Sequence, residues 1–287
     1  MSQHNDKGIA LITGASSGIG ATYADRLARR GYDLVLVARD EARLEQLAAR
    51  LRAATGAQSE VLRADLTQKA DLARVEQRLR RDATITMLVN NAGVAASGPL
   101  VGGDLDAIEA MIHLNVVAVT RLASAAATNF VARGAGVLIN LSSVLALAPE
   151  RFNASYSATK AYVLNLSLTL HQELSPSGVQ VQVVLPGATR TDIWAHAGVE
   201  ASSLPASILM EVDELVDAAL VGLDCRELVT IPSLPDLMDW EAYTTARLHL
   251  GPNLSRDHAA DRYKRPAGRP CKSPVVGSVA HERKQER

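Results

Sequence analysis

Cysteine is nearly absent from this 287-residue chain, which has only Cys225 and Cys271. So distant a pair excludes both a disulfide framework and a cysteine-based zinc site. Aromatic residues make up 3 % of the sequence, within a hydrophobic total of 47 %. Ala, Val, Leu and Ile must therefore fill the core, which suits strands covered by helices on both faces. No apolar run approaches the roughly 20 residues that span a bilayer, so no membrane partner is expected. The segment Met1–Lys7 is short and polar, unlike a secretory signal, and the cytoplasm is the expected location. His113, His171 and His196 are too widely spaced for a metal-binding helix, so no metal is expected.

Charge is unevenly spread behind a formal net value of −1. From Gly251 to Arg287 nine Lys/Arg stand against four Asp/Glu, whereas the first 250 residues hold 21 basic and 27 acidic side chains. The basic stretch carries Pro252, Pro266, Pro270 and Pro274 and shows no helical or strand period. It reads as a disordered tail, 251–287, following one domain over 1–250. A basic tail can bind nucleic acid, but a solvated tail is the simpler reading, and nucleic acid is disfavoured as a partner.

What is present is alternation. Short apolar runs at 9–13, 34–38, 61–64, 87–90, 137–141 and 179–185, with a weaker one at 229–231, read as strands. Between them lie helical patterns near 19–30, 41–54, 69–81, 104–132, 155–174 and 213–223. Strand–helix alternation implies right-handed crossovers and a doubly wound parallel sheet, a three-layer α/β/α Rossmann fold. Such folds bind ligands beyond the carboxyl ends of the strands, where strand order reverses. The chemistry-bearing motifs of this chain fall at those ends.

The first strand runs into Thr13 and a cradle of Gly14, Ser16, Ser17, Gly18, Ile19 and Gly20, after which a helix begins. Gly14 permits a tight turn, Gly18 lets backbone approach a pyrophosphate, and Gly20 allows close helix–strand packing. The helix N-terminus favours phosphate charge. A glycine-rich turn without a ligand is the alternative. Where the second strand ends, an enzyme for NAD(H) usually places Asp or Glu. This chain has Ala38 and then Arg39, which suits the 2′-phosphate of NADP(H). NADP(H) is favoured over NAD(H); the alternative for Arg39 is a surface pairing with Asp40 or Glu41.

Tyr156 and Lys160 lie four residues apart in a helical stretch, on one face. A free tyrosine, with a pKa of about 10, is a poor base at neutral pH. A nearby ammonium and a positive nicotinamide favour tyrosinate. Lowering the pKa by about three units requires about 4 kcal/mol. Ser142 and Ser143 end the fifth strand, and adjacent strand residues point to opposite faces, so one of them is structural. Asn115 lies in the long helix before it, Asn90-Asn-Ala-Gly93 ends the fourth strand, and Pro186-Gly-Ala-Thr189 ends the sixth.

With Thr-Gly-x-x-x-Gly-x-Gly, Asn-Asn-Ala-Gly, Ser, Tyr-x-x-x-Lys and Pro-Gly in this order, the sequence resembles the short-chain dehydrogenase/reductase family from about Gly8 to Val221. The resemblance implies that Tyr156 is general acid in reduction and base in oxidation. Lys160 would bond the nicotinamide ribose and lower the tyrosine pKa. Family spacing picks Ser143 over Ser142 to hold the substrate oxygen, and Asn115 would support a water that relays protons to Lys160. Asp65 and Leu66 would line the adenine pocket, and Asn91, Ala92 and Gly93 the cofactor cleft. Pro186, Gly187, Thr189 and Thr191 would fix the nicotinamide carboxamide. Ile193, Trp194 and His196 would belong to a substrate lid spanning 188–205.

The resemblance fades after about Leu234, where Trp240, Tyr243 and Leu248 are expected to form one more packed segment. The helices near 104–132 and 155–174 are apolar on more than one face, which suggests packing against a second subunit, and the resemblance implies a homodimer or homotetramer. The chain thus reads as an NADP(H)-dependent oxidoreductase acting on a small-molecule carbonyl or alcohol substrate. The alternative is a non-catalytic dinucleotide-binding scaffold or regulator, because a fold alone does not guarantee activity.

Overall fold

The apolar runs all become strands of one sheet in the computed structural model, which describes residues 7–96, 98–191 and 205–264. They are β1 (Ile9–Thr13), β2 (Asp33–Ala38), β3 (Ser59–Arg63), β4 (Ile85–Asn90), β5 (Gly136–Leu141), β6 (Val179–Val184) and β7 (Val229–Thr230). Their spatial order is β3-β2-β1-β4-β5-β6-β7, with every neighbouring pair parallel. Strand order reverses between β1 and β4, which opens a crevice above their carboxyl ends.

Successive strand residues point to opposite faces, and both faces are dry. On one, Ile12, Leu36, Val89, Ile139 and Val184 pack against α1 (Gly18–Arg29), α2 (Glu41–Thr55) and α7 (Val212–Asp224). On the other, Leu11, Val35, Leu88, Leu138 and Val181 meet Val75 of α3 (Lys69–Arg81), Phe130 of α5 (Val119–Arg133) and Leu174 of α6 (Ala154–Leu174). Burial on both faces is why these strands read as nearly continuous apolar runs. Two alternate instead, for different reasons. β3 is the sheet edge and only partly covered. In β6 the polar Gln182 is fully buried, its Nε2 donating to Ala219 O at 2.8 Å and Thr230 Oγ1 at 2.9 Å.

The long apolar helix before β5 is built from α4 (Leu105–Ile112), a π-helical segment (His113–Ala118) and α5. By length and mean hydropathy Leu105–Arg133 is apolar enough to cross a membrane, and half of its most apolar window is buried in the fold. Arg121 and the largely buried Glu76 form a two-pronged ion pair that fastens α5 to α3. That is the placement of a core helix.

The chain divides into two compact units, Met1–Pro235, which holds the sheet, and Asp236–Arg287. In the second, α8 (Leu237–His249) contains Trp240, Tyr243 and Leu248, and the two aromatic rings stack at 5.4 Å. The packed segment expected there is therefore helical, yet none of its residues is buried. Its apolar side chains are spread around the axis rather than gathered into one stripe. Short turns follow at Gly251–Asn253 and Asp261–Tyr263; residues 265–287 of the expected tail lie outside the described residues.

Candidate active site

The floor of the crevice is a knot of hydrogen bonds around Thr13, the last residue of β1. Its buried hydroxyl donates to Val89 O at 3.3 Å and accepts from the amides of Asn91 and Ala92, each at 3.0 Å. Asn91 answers through its Nδ2, which donates to Thr13 O at 2.9 Å and Gly14 O at 3.2 Å. The Asn-Asn-Ala-Gly turn is thus bolted to the glycine loop across the point where strand order reverses. Gly14 and Gly18 take positive φ, +66° and +51°, which only glycine adopts freely. A Cβ on Gly20 would stand 2.2 Å from Gly14 O, so the helix could not approach the loop this closely with any other residue.

Beyond that loop α1 begins without a side-chain cap, since Ser17 makes no capping hydrogen bond. First-turn amides at such an end are suited to phosphate oxygens. Ile19 turns its side chain onto the core, leaving its amide for that role. A Cβ built on Gly18 would meet Thr191 Cγ2 at 3.4 Å, so the segment after β6 stands beside the loop. That segment is ordered internally: Thr189 Oγ1 donates to Gly187 O at 3.0 Å, and Pro186 O accepts from Val144 N at 3.0 Å. These residues fit a dinucleotide pyrophosphate: a bare helix terminus, a loop that no side chain fills, and a segment that stands beside it.

At the ends of β2 and β3 the parts differ from expectation in detail. Asp40 caps α2 and pairs with Arg43, not with Arg39. Arg39 is exposed, and no described carboxylate forms an ion pair with it. Asp65 spends one carboxylate oxygen on Thr67, accepting its amide at 3.0 Å and hydroxyl at 2.7 Å. Leu66 is buried in the core with Leu72 and Val75, so its side chain is committed to packing.

The catalytic candidates sit at the ends of β4 and β5 and on the first turns of α6. Tyr156 and Lys160 are both buried, with the ammonium 5.7 Å from the centroid of the phenol ring. Lys160 Nζ donates to Leu141 O at 3.0 Å, and a Cβ on Gly93 would lie 3.4 Å from it. An ammonium carries three donors, so capacity remains on the side facing Gly93. Ser142 donates to Lys160 O at 2.7 Å and so pins α6 to β5, while Ser143 accepts from Leu145 N at 3.2 Å and interacts with the Tyr156 phenol. The two hydroxyls, just beyond the end of β5, thus engage different partners.

Asn115, on the π-helical segment, makes three hydrogen bonds with its side chain and spends both of its amide protons. Its Oδ1 accepts from Val94 N at 3.0 Å, and its Nδ2 donates to Val94 O at 2.9 Å and Thr159 Oγ1 at 3.1 Å. A water relay through this residue would have to rest on an acceptor, its backbone carbonyl or the second lone pair of Oδ1. Val94, Ala95, Ala96, Ile108, Met111, Leu145 and Phe152 surround Tyr156 with apolar surface, and the Phe152 ring meets it edge-on at 5.7 Å. Sequence reasoning missed Thr13, Thr159 and Asn153 as parts of this construction. Asn153 left a readable signal, since Asn before a helical pattern is a common cap.

Burial shifts both titrating groups of the site. Burial pushes the Tyr156 phenol up to about 12, with the Ser143 interaction pulling weakly the other way. Burial also brings Lys160 down to about 8. The protein groups alone favour neutral phenol over tyrosinate, because burial is the largest influence on each of them. Among the described residues no three His, Cys, Asp or Glu side chains group together as a metal site. Residues 192–204, with Ile193, Trp194 and His196 of the expected lid, lie outside the described residues.

A reversing parallel sheet, an uncapped glycine-loop helix and a buried Ser–Tyr–Lys cluster together define an oxidoreductase of the Rossmann type. The family model for short chain dehydrogenases matches residues 8–201, and the chain belongs to that family. It is 58 % identical to a short-chain dehydrogenase from Sphingobium yanoikuyae solved in complex with NADPH, covering 89 % of this chain and 99 % of that one at a TM-score of 0.87. It is 50 % identical to the bulky-bulky ketone specific alcohol dehydrogenase from Comamonas testosteroni, covering 89 % and 98 % at a TM-score of 0.83. Among relatives by sequence, an NADPH-dependent 1-acyldihydroxyacetone phosphate reductase from Schizosaccharomyces pombe is 28 % identical over 85 % of this chain and 88 % of its own.

Proposed function

We propose that this protein reduces ketones with NADPH, and oxidises the matching alcohols with NADP+, through Ser143, Tyr156 and Lys160. The observation that carries the reading is the convergence of those three side chains in an apolar recess beside the glycine-loop helix. The nicotinamide, when bound, supplies or accepts the hydride. The protein holds the carbonyl oxygen with the Ser143 hydroxyl and the Tyr156 phenol, which stabilise the negative charge that builds there. A phenol with a pKa of about 12 keeps its proton at neutral pH and is ready to give it to the nascent alkoxide. Lys160, positive over much of the neutral range, offsets the charge left on the phenolate and has donors to spare for a ribose hydroxyl.

Two features support NADP(H) over NAD(H). β2 ends in Ala38 rather than an acidic residue, and the exposed Arg39 is next in line for a 2′-phosphate. The relative from Sphingobium yanoikuyae was solved with NADPH. The side chains packed around Tyr156 are apolar, with one aromatic edge, which favours an uncharged ketone with apolar arms. The relative from Comamonas testosteroni, described as specific for bulky-bulky ketones, supports the same substrate class.

The test is direct. NADPH should bind in a fluorescence titration far more tightly than NADH, and alkyl phenyl ketones should drive NADPH oxidation. Tyr156→Phe should cut turnover by about 10²–10⁴-fold, the usual contribution of a positioned acid, without weakening NADPH binding. Retained turnover in Tyr156→Phe would remove the phenol from the mechanism.

A further inference from the structure

We infer that Asn153 is a positioning residue for substrate selection, because its single amide fastens the start of the catalytic helix to the apolar segment packed around the Tyr156 phenol. The inference rests on the ketone-reductase reading above. Asn153 occupies the cap of α6, with Oδ1 accepting from Tyr156 N at 2.9 Å. Its Nδ2 donates in the other direction, to Ala96 O at 2.7 Å. One rigid amide plane therefore joins the residue that delivers the proton to a segment packed around it.

That segment, Val94 to Ala96, follows β4 and belongs to no strand or helix, so side chains fix its backbone. Asn115 holds Val94 through both its N–H and its carbonyl. The Met111 sulfur accepts from Ala96 N at 3.3 Å, and Asn153 takes Ala96 O. Of these three, Asn153 stands on the same first turn as Tyr156, so its contact fixes the spacing between the phenol and the apolar wall of Ala95 and Ala96. Both alanines are buried together with Tyr156, and Phe152, next to Asn153, meets the phenol ring edge-on. A change of a few tenths of an ångström in that spacing alters which carbonyl substituents fit.

Capping alone does not account for asparagine here. Ser, Thr and Asp cap a helix about as well as Asn, and Asp adds a favourable charge at the helix N-terminus. Ionised Asp has no donor for the carbonyl across the gap, and Ser or Thr has a single hydroxyl proton on a shorter side chain than the amide that spans from Tyr156 N to Ala96 O. Asn153→Asp therefore separates the two functions: it keeps the cap acceptor, loses the donor, and sets a carboxylate against Ala96 O.

The experiment measures kcat and KM of the wild type, Asn153→Asp and Asn153→Ser for acetophenone, butyrophenone and hexanophenone, with NADPH affinity and amide exchange of the segment after β4. Both variants should raise KM on the order of tenfold more for the longest ketone than for the shortest, the scale of one lost hydrogen bond. NADPH affinity should hold, and amide exchange around Val94–Ala96 should accelerate. Kinetic constants that keep their wild-type ratio across the three ketones in Asn153→Asp, with unchanged exchange, would overturn the inference and leave Asn153 a cap. A wild type that reduces none of the ketones would sink the ketone reading itself; the exchange data would then still decide whether Asn153 holds the segment.

Discussion

Replacing Thr13 by Val should damage cofactor binding without touching a residue that contacts the reacting atoms. Valine matches threonine in shape, so the change removes one hydroxyl and adds one methyl at a site that is 1 % exposed. Two backbone amides, those of Asn91 and Ala92, lose their acceptor. A buried unsatisfied donor costs about 1–3 kcal/mol. Asn91 and Ala92 are only half-buried, so water recovers part of that, and about 1–1.5 kcal/mol each is the reasonable share. The added methyl returns about 0.8 kcal/mol by burial. The net loss is about 1.5–2 kcal/mol, which for a protein of this size lowers Tm by about 3–8 °C.

Stability is the lesser consequence. The same hydroxyl joins the glycine loop to the Asn-Asn-Ala-Gly turn, so its loss should loosen both sides of the cofactor crevice. NADPH affinity, read by fluorescence titration, should fall by about tenfold, equivalent to about 1.4 kcal/mol. Thr13→Ser, which keeps the hydroxyl, should restore affinity despite its lost methyl. If Thr13→Val melts within 1 °C of wild type and binds NADPH normally, the knot at the end of β1 does not organise the crevice, and the argument from hydrogen bonding fails.

Two further outcomes follow from charge. Tyr156, held at about 12, must lose its proton before it can accept one from an alcohol, so NADP+-dependent oxidation should rise steadily with pH across the neutral range. Ketone reduction should instead decline as Lys160 loses its charge near pH 8, and initial rates in both directions that share one pH profile would contradict these assignments. Arg39→Asp should lower the NADPH-to-NADH affinity ratio by about 10–100-fold, the scale of a lost charge-assisted pair; an unchanged ratio would show that another group reads the 2′-phosphate.

Much of this was legible in the sequence, for reasons that can be named. Burial of both sheet faces writes each strand as an apolar run, and the crossover helices separate those runs at regular intervals. The glycines report their own necessity, since Gly20 touches Gly14 O and Gly14 needs positive φ. What stayed hidden depends on partners far apart in the chain. Nothing near Ser142 in sequence shows that its hydroxyl seeks Lys160 O, eighteen residues away. Nothing near Asn115 shows that Val94 and Thr159 will take both of its amide protons. The raised phenol pKa was hidden for the same reason, because motif spacing brings a lysine close but does not reveal how dry the recess is.

Hydrogen-bond capacity then separates roles that motif membership leaves mixed. Thr13, Asn91, Asn115, Ser142 and Asn153 all stand at strand ends or beside the catalytic helix, and each uses its side chain on protein backbone or a neighbouring hydroxyl. Groups so committed hold geometry and have little left for a ligand. Ser143, Tyr156 and Lys160 differ. The serine accepts one amide at 3.2 Å and makes only a long 3.5 Å contact to Pro186 O, and the lysine gives one of its donors to Leu141 O. The phenol interacts with Ser143 and otherwise faces apolar side chains. A carbonyl oxygen entering this recess would meet the site hydroxyls that still have capacity, while the surrounding committed amides keep those hydroxyls in place. The division of labour is physical: a side chain that is already satisfied can position, and one that is not can react.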